Sequence, residues 1–161
     1  MHDSVQEYVG SCVAIARLEH SNVLEVGSRD INGSVRGFFK GPYIGIDSVD
    51  GDGVDQVMNS HALAFPDEAF DVVVCCETIE HDPAFWLTLS EIGRVLKSDG
   101  VLILTTRSNG FPDHKHPIDC WRFMADSVPL LAKLAECSVS SVLNDWQAEG
   151  LFMLARRNPR G

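Results

Sequence analysis

Side chains that could bind a ligand follow the apolar segments of this sequence, where strands are predicted to end. Glu25, Gly27 and Ser28 close the first apolar run, and Asp47 closes the second. A glycine lets the backbone turn sharply and approach a ligand closely. A carboxylate about 20 residues further on, at the end of the second strand, can accept hydrogen bonds from both hydroxyls of a ribose. These two features together are typical of sites for nucleoside-containing cofactors.

The glycine fingerprints of other nucleotide sites are absent from the sequence. A G-x-G-x-x-G motif that begins at Gly27 would need glycines at two further positions, where the sequence has Arg29 and Asn32. The sequence also lacks the G-x-x-x-x-G-K-[ST] loop that binds nucleotide triphosphates. A nicotinamide-dependent oxidoreductase is therefore a weaker alternative, which a test of nicotinamide-cofactor binding would check.

Apolar runs and helical spacings predict the elements that must hold these residues. Strands are predicted at 23–26, 43–47, 54–58, 70–76, 101–105, 139–143 and 151–155, and helices at 4–19, 83–97 and 124–135. Strands that alternate with helices predict an α/β fold with a parallel sheet covered on both faces. The last two strands, which no helix separates, predict a hairpin with one antiparallel member.

Polar residues at the ends of the third and fourth strands extend the candidate site. These strands are followed by Asn59 and Ser60 and by Glu77, with Cys76 as the last residue of the fourth. Ligands of an open α/β sheet bind at the carboxyl ends of its strands. We therefore expect these residues to lie along one sheet edge with Gly27.

Composition restricts the class of protein further. The 161 residues predict a single domain over 1–161, and 13 basic against 23 acidic residues give a net charge of −10. This charge argues against general binding of nucleic acid or of anionic membranes. Five cysteines, two of them adjacent in an apolar run, do not suggest a disulfide framework. With no signal-peptide pattern and no run long enough to span a bilayer, we expect a cytoplasmic protein.

Several segments resemble motifs of the class I S-adenosylmethionine-dependent methyltransferases, over about residues 20–157. VLEVGS is similar to the first motif, YIGID to the second, and VMNSHALAFPDEAFDVVVCCETIEH to the third and fourth. EIGRVLKSDGVLILTT resembles the R-V-L-K-P-G-G-x-L segment of that family. The small bacterial and phage-type members of the family, and its type 11 domains in particular, resemble this chain in three further segments, namely 32–36, 51–55 and 114–123. The order and spacing of the motifs carry the resemblance.

The resemblance implies a doubly wound, seven-stranded, Rossmann-like sheet of order 3-2-1-4-5-7-6 and S-adenosyl-L-methionine as the cofactor. It assigns Glu25, Gly27, Ser28, Cys76 and Glu77 to the methionine end of the cofactor, Asp47 to the ribose, and Ser48, Asn59 and Ser60 to the adenine. Two positions depart from the family pattern. Arg29 stands in place of a second glycine and could pass over the cofactor or reach its carboxylate, while Asn59 replaces an acid. An amide oxygen can accept the same hydrogen bond as a carboxylate.

A hydroxyl acceptor must lose a proton during methyl transfer, and histidine is the commonest proton acceptor at neutral pH. His81, after the fourth strand, is the first candidate for this catalytic role, and His114, after the fifth strand, is the second. The acceptor is predicted to be a small molecule or a sugar-linked group. No N-P-P-Y or D-P-P-Y sequence of DNA amino-methylating enzymes is present.

The loop at 114–120 contains residue types that bind zinc, but no second cluster such as C-x-x-C accompanies it. We therefore predict no metal site. The loop is expected to shape the acceptor pocket or to hold the C-terminal helix. A purely structural alternative is an ion pair between Asp119 and Arg122. Other candidate residues also have a structural alternative to a role in the site. Glu77 and Glu80 could simply be solvated, and several residues could simply pack in the core, namely Cys75, Cys76, Phe85 and Trp86.

Two further alternatives remain open at this point. The short chain and the unusual first motif would also suit a catalytically silent domain that binds the cofactor or a partner protein. Because no inserted cap domain is evident, substrate would be held by loops, by the N-terminal helix or by a second subunit. A homodimer is one way to complete the site, although no residue pattern marks an interface.

Overall fold

The computed structural model describes residues 2–115, 118–146 and 148–160. The strands are β1 (Val23–Val26), β2 (Tyr43–Asp47), β3 (Gln56–Val57), β4 (Phe70–Cys76), β5 (Leu96–Arg107), β6 (Cys137–Asp145) and β7 (Gly150–Arg157). The α-helices are α1 (Asp3–Ala16), α2 (Phe85–Val95) and α3 (Val128–Leu134), with short 3-10 helices at Arg36–Phe38 and Ala125–Ser127.

The seven strands form one sheet in the order β3-β2-β1-β4-β5-β7-β6. Strands β1 to β5 are parallel neighbours, whereas β7 runs antiparallel to both β5 and β6. The predicted fold class, strand order and position of the antiparallel strand are therefore confirmed. The central strand β1 is buried along its whole length, as expected of a strand with helices on both faces.

Alternate side chains of the central strands enter two separate cores. On one face, Leu24, Val73 and Leu102 pack in the same cluster as residues of α2 and α3. On the other face, Val23 and Val74 pack with residues of α1. This alternation follows from the two-residue repeat of a strand, so the central strands β1 and β4 lie between two apolar layers.

The junction of α2 and β5 differs from the prediction. The helix ends at Val95, and Leu96 already pairs with Phe70 as the first residue of β5. Burial of Leu96 beside β4 outweighs the helical preference of Leu96 and Lys97, and an irregular register between Phe70 and Val72 accommodates the early start. At its other end β5 continues to Arg107, beyond the predicted apolar run.

The edge strand β3 is shorter than predicted, since only Gln56 and Val57 pair with β2 and both are exposed. Trp86 was expected in the core but is 44% exposed, because it lies on the outer side of α2. Phe85 does pack against the core, and Cys75 and Cys76 are buried as expected. None of the helices in the described parts of the chain has the length and apolar character that crossing a membrane requires.

Candidate functional site

The carboxyl ends of β1, β2 and β4 lie side by side, as the sequence predicts. Val26 is in register with Ile46 of β2 and with Cys75 of β4. The amides of Gly27 and Ser28 both donate to the carbonyl oxygen of Ile46, each at 2.9 Å. The residues that follow β1 are therefore held directly above the end of β2.

Gly27 turns the chain away from β1 in a conformation that favours glycine, with φ of +78°. A Cβ atom at this position would lie 2.0 Å from Oγ1 of Thr78. Thr78 donates to the carbonyl oxygens of Cys76 and Val26, at 2.9 and 3.3 Å. Gly27 is thus required by the close approach of the loop after β4 to the loop after β1.

Glu25 is buried within β1 and has a specific partner. The Tyr43 hydroxyl donates to its carboxylate at 2.8 Å, and the Arg36 guanidinium stacks over the Tyr43 ring at 4.7 Å. Burial raises the pKa of Glu25 to about 7, against the smaller opposing effects of Tyr43 and Arg36. Arg36 is itself held by an ion pair with Asp55.

Ser28 and Arg29 take different positions in the loop after β1. Ser28 is buried, and its hydroxyl has no hydrogen-bond partner among the residues that the structure describes. Arg29 is exposed and extends along the loop after β2, where a Cβ on Gly51 would lie 2.9 Å from its Nε. A buried polar atom without a partner is uncommon, so Ser28 is a natural contact for a polar ligand.

The predicted ribose and adenine positions lie in turns at the same edge. Asp47 Oδ1 accepts from the Val49 amide at 3.0 Å and from the Ser48 hydroxyl at 3.4 Å. Asn59 Oδ1 accepts from the His61 amide. Ser60 accepts a hydrogen bond from Thr88 on α2. These contacts fix the turns and keep a carboxylate, an amide and hydroxyls at the ends of β2 and β3.

Glu77 is not a solvated carboxylate. It has φ of +52°, forms an ion pair with the buried Arg107, and accepts from the Thr105 hydroxyl at 2.9 Å. Burial raises its pKa, although Arg107 opposes this shift. Arg107 also donates to the Ala148 carbonyl and lies over the Phe111 ring, with 4.3 Å between the guanidinium carbon and the ring centre.

Glu80 is fully buried, which contradicts the alternative that it is a solvated residue. The Thr106 hydroxyl donates to its Oε2 at 2.8 Å, while Oε1 has no hydrogen-bond partner among the described residues. Burial is the main cause that raises its pKa to about 8, and the nearby Glu77 adds to it. The backbone carbonyl of Glu80 accepts from the amides of Cys120 and Trp121, which anchors the loop before α3.

The two candidate proton acceptors lie next to each other. The rings of His81 and His114 have their centres 4.6 Å apart. His81 Nδ1 lies 2.6 Å from the carbonyl oxygen of Ile118 and therefore carries the proton that this contact needs. Burial, reinforced by His81, lowers the pKa of His114.

The alternative of an ion pair between Asp119 and Arg122 is confirmed. Two guanidinium nitrogens of Arg122 donate to the two oxygens of Asp119, at 2.5 and 2.6 Å. Arg122 holds the pKa of Asp119 well below its usual range. Asp119 also accepts from the His114 amide and lies 3.3 Å from His114 Nδ1. His116, a further ligand type in this loop, lies outside the described residues.

A cleft of about 450 Å³ lies on the α1 side of the sheet, away from the ends of β1 and β2. It is bordered by Tyr8 of α1, by Leu143 of β6 and by Phe152 of β7, with the exposed Trp146 at its rim. None of the predicted cofactor residues borders this cleft. The cleft is therefore separate from the predicted cofactor edge, which is marked by its polar residues.

Sequence patterns missed the polar end of β5. Thr105, Thr106 and Arg107 are all buried and supply the partners of Glu77 and Glu80. The signal was a buried apolar strand that continues into two threonines and an arginine. Because β5 is the parallel neighbour of β4, these side chains had to meet the carboxylates that follow β4.

The strand order and the polar edge define the class of fold. A seven-stranded sheet of this order, with β7 antiparallel and a glycine turn after β1, is the fold of class I methyltransferases that the sequence motifs imply. Residues 45–104 match the family model described as "Methyltransferase domain".

Comparisons with individual proteins agree with this class. The chain is 32% identical over 118 residues to the fatty-acid O-methyltransferase of Mycolicibacterium smegmatis. The match covers 63% of this chain and 42% of that relative, so it spans about two fifths of the relative's length.

Solved structures share the fold at low sequence identity. One is the 1,6-didemethyltoxoflavin-N1-methyltransferase of Burkholderia thailandensis with bound 1,6-didemethyltoxoflavin and S-adenosylhomocysteine, at a TM-score of 0.78 and 16% identity. It covers 98% of this chain and 80% of that one. Another is a putative sarcosine dimethylglycine methyltransferase from Galdieria sulphuraria, with a TM-score of 0.73, 13% identity, and coverage of 96% and 86%. The predicted fold is therefore confirmed, and the match over residues 45–104 and the Mycolicibacterium relative support a methyltransferase domain.

Proposed function

We propose that this chain transfers a methyl group from S-adenosylmethionine to an oxygen atom of a small-molecule acceptor, which includes sugar-linked groups. The observation that carries the proposal is the arrangement at one sheet edge. There Gly27, Asp47 and Glu77 lie at the carboxyl ends of three adjacent parallel strands within a methyltransferase fold. The name of the Mycolicibacterium relative favours oxygen as the accepting atom.

The residues at this edge suit the parts of the cofactor. Ser28 offers a buried hydroxyl without a partner among the described residues, and Asp47 offers a carboxylate at the end of β2. A carboxylate there can accept both ribose hydroxyls. The full set proposed to bind the cofactor is Glu25, Gly27, Ser28, Arg29, Asp47, Ser48, Asn59, Ser60, Cys76 and Glu77.

Glu77 and Arg107 would define the environment of the reacting atoms. When bound, S-adenosylmethionine supplies a methyl group on a positively charged sulfur. The carboxylate of Glu77 offsets the charge of Arg107 through their buried ion pair. Loss of either partner would leave an uncompensated buried charge, so we expect the two residues to be retained together.

His81 is proposed as the proton acceptor, with His114 as the second candidate. Transfer of the methyl group from sulfur to the acceptor oxygen would release the hydroxyl proton, which the His81 imidazole would accept. With its Nδ1 hydrogen directed to Ile118, His81 keeps Nε2 as the basic nitrogen. His81 follows Glu77 in the loop after β4, where its amide donates to the Thr78 carbonyl.

Thermal unfolding with S-adenosylhomocysteine tests the cofactor site. A ligand at 100 times its Kd adds about 2.7 kcal/mol to stability, which should raise the unfolding midpoint by roughly 5–10 °C in a chain of this size. Asp47→Ala should abolish most of this shift, whereas Asp126→Ala, an exposed acid in the 3-10 helix before α3, should retain it. An equal shift in both variants would remove Asp47 from the site, and no shift in the native chain at millimolar ligand would contradict the proposed function.

A further inference from the structure

Three side chains with metal-ligating atoms meet beyond the end of β4. A carboxylate oxygen of Glu80 and ring nitrogens of His81 and His114 all lie within 4.8 Å of one another. Glu80 and His81 are adjacent in the chain, while His114 comes from the loop after β5. Glu80 is fully buried and both histidines are partly exposed, so the open side of the group is its solvent side.

The buried carboxylate of Glu80 is only half satisfied by the protein. Thr106 donates to Oε2, but Oε1 has no hydrogen-bond partner among the residues described. A buried polar atom without a partner costs about 1–3 kcal/mol, and more when it is charged. A cation bound between Oε1 and the two imidazoles would remove this cost.

Each histidine has an oxygen atom of the protein close to its Nδ1 atom. His81 Nδ1 donates to the carbonyl of Ile118, and His114 Nδ1 lies 3.3 Å from a carboxylate oxygen of Asp119. Arg122 fixes Asp119 from the other side through two hydrogen bonds. Metal-binding histidines almost always direct their second ring nitrogen to a carbonyl or carboxylate, which fixes the ring and raises its basicity.

We propose that Glu80, His81 and His114 bind a divalent transition-metal ion, for which zinc is the best match. Two histidines and one glutamate form a known set of three protein ligands for zinc, with a fourth position open to water or substrate. Ligand atoms around tetrahedral zinc are roughly 3.3 Å apart, given bonds of about 2.0–2.1 Å. The three ligand atoms, which lie within 4.8 Å of one another, must therefore move closer together when the ion binds. This proposal replaces the prediction from sequence that the chain has no metal site.

The role of the ion, unlike its binding, rests on the proposed function. A hydroxyl or carboxylate oxygen of the acceptor would occupy the open position, beside the proposed location of the methyl group. A zinc ion lowers the pKa of a bound oxygen, so the hydroxyl proton would leave to water before the oxygen attacks the methyl carbon. In the metal-loaded chain, His81 and His114 thus act as ligands, and the ion activates the acceptor in their place.

Cobalt(II) absorption and zinc competition test the site in the full chain. After chelation and dialysis, Co²⁺ should give the visible bands of a tetrahedral site with nitrogen and oxygen ligands, and Zn²⁺ should displace it. His81→Gln, His114→Gln and Glu80→Gln should each weaken Zn²⁺ binding by at least about 10-fold. The matched control is His61→Gln, because His61 is also partly buried and paired with an acid, Asp82, outside the group.

Three results would overturn the metal site. These are the absence of Co²⁺ binding by the native chain, unchanged affinity in the folded His81→Gln/His114→Gln double variant, and loss of binding in Cys120→Ser together with a thiolate charge-transfer band. Cys120 is the exposed cysteine of the same loop. An unfolding curve of each variant checks that the variant is folded before its metal affinity is compared. Binding of S-adenosylhomocysteine, measured on the same samples, separates the two proposals. If the chain binds the metal ion but not S-adenosylhomocysteine, the proposed function is contradicted. If it binds S-adenosylhomocysteine but not the metal ion, the metal site is contradicted.

Discussion

Glu25 shows how one residue connects burial with the dependence of stability on pH. Its carboxyl group is buried and accepts a hydrogen bond from Tyr43. The folded chain raises its pKa from 4.5 to about 7, mainly by burial. Arg36 opposes this shift, while Asp30 and Asp55 add to it. The folded chain therefore keeps the Glu25 proton through a pH range in which the unfolded chain has lost it.

This difference predicts that stability falls as pH rises from about 4.5 to about 7, since the unfolded chain binds fewer protons over that range. Once Glu25 is ionised in the folded chain as well, the free energy of unfolding has fallen by about 3 kcal/mol. Glu25→Gln keeps an oxygen that accepts from Tyr43 but cannot ionise, so its stability should change less. Urea unfolding of both chains without ligand, at several pH values from 4.5 to 8, measures the difference. Because Glu80 titrates in both chains, its contribution cancels. Parallel curves for the two chains would show that Glu25 does not couple folding to pH.

At the scale of elements, the strand borders that the sequence predicted are those with an apolar run and a clear polar end. The bounds of β1, β2 and β4 agree with the prediction residue by residue. The start of β5 could not be predicted, because Leu96 suits a helix equally well and only its pairing with Phe70 decides. The partners of Glu80 were missed for the same reason, since Thr106 meets it through strand order and not through sequence spacing.

The turn between β1 and its following loop gives a prediction at this scale. Gly27→Ala would place a Cβ against Thr78 and force a left-handed conformation on alanine. The conformation alone costs about 1–2 kcal/mol, and displacement of Thr78 adds the loss of its hydrogen bonds to the ends of β1 and β4. We expect a total loss of roughly 2–4 kcal/mol in urea unfolding.

Two further variants separate these causes. Gly37→Ala is the matched control, because a Cβ at Gly37 meets no atom within 4 Å. It should change stability by less than about 1 kcal/mol. When Thr78 is already alanine, Gly27→Ala should destabilise the chain less, because the clash with the Thr78 side chain is gone. The destabilisation that remains comes from the left-handed backbone conformation at residue 27. Equal effects at Gly27 and Gly37 would contradict the close approach of the two loops.

At the scale of the whole molecule, the last strand is joined to both helices on one face by a single buried side chain. Arg157, near the end of β7, donates to the carbonyl of Gly93 on α2 at 2.8 Å and to that of Glu136, just after α3, at 3.0 Å. It also forms an ion pair with the carboxylate of Glu136, which is largely exposed and adds little. The antiparallel end of the sheet is thus held to the helical layer that covers β1 and β4.

Arg157→Met should therefore lower the free energy of unfolding by about 1–3 kcal/mol, because it removes the side-chain donor to the buried Gly93 carbonyl, whereas the Glu136 carbonyl still accepts from the Asn158 amide. Arg156→Met is the matched control: Arg156 is the exposed neighbour, with one hydrogen bond to Asp99, and its loss should cost less than about 1 kcal/mol. Urea unfolding gives both values, and an unchanged slope would show that the native fold is kept. Because Arg157 lies far along the strand from the polar edge, S-adenosylhomocysteine should bind the folded Arg157→Met chain as it binds the native one. A large loss of ligand affinity without loss of stability would mean that this helical layer positions the site directly and does not merely support the sheet.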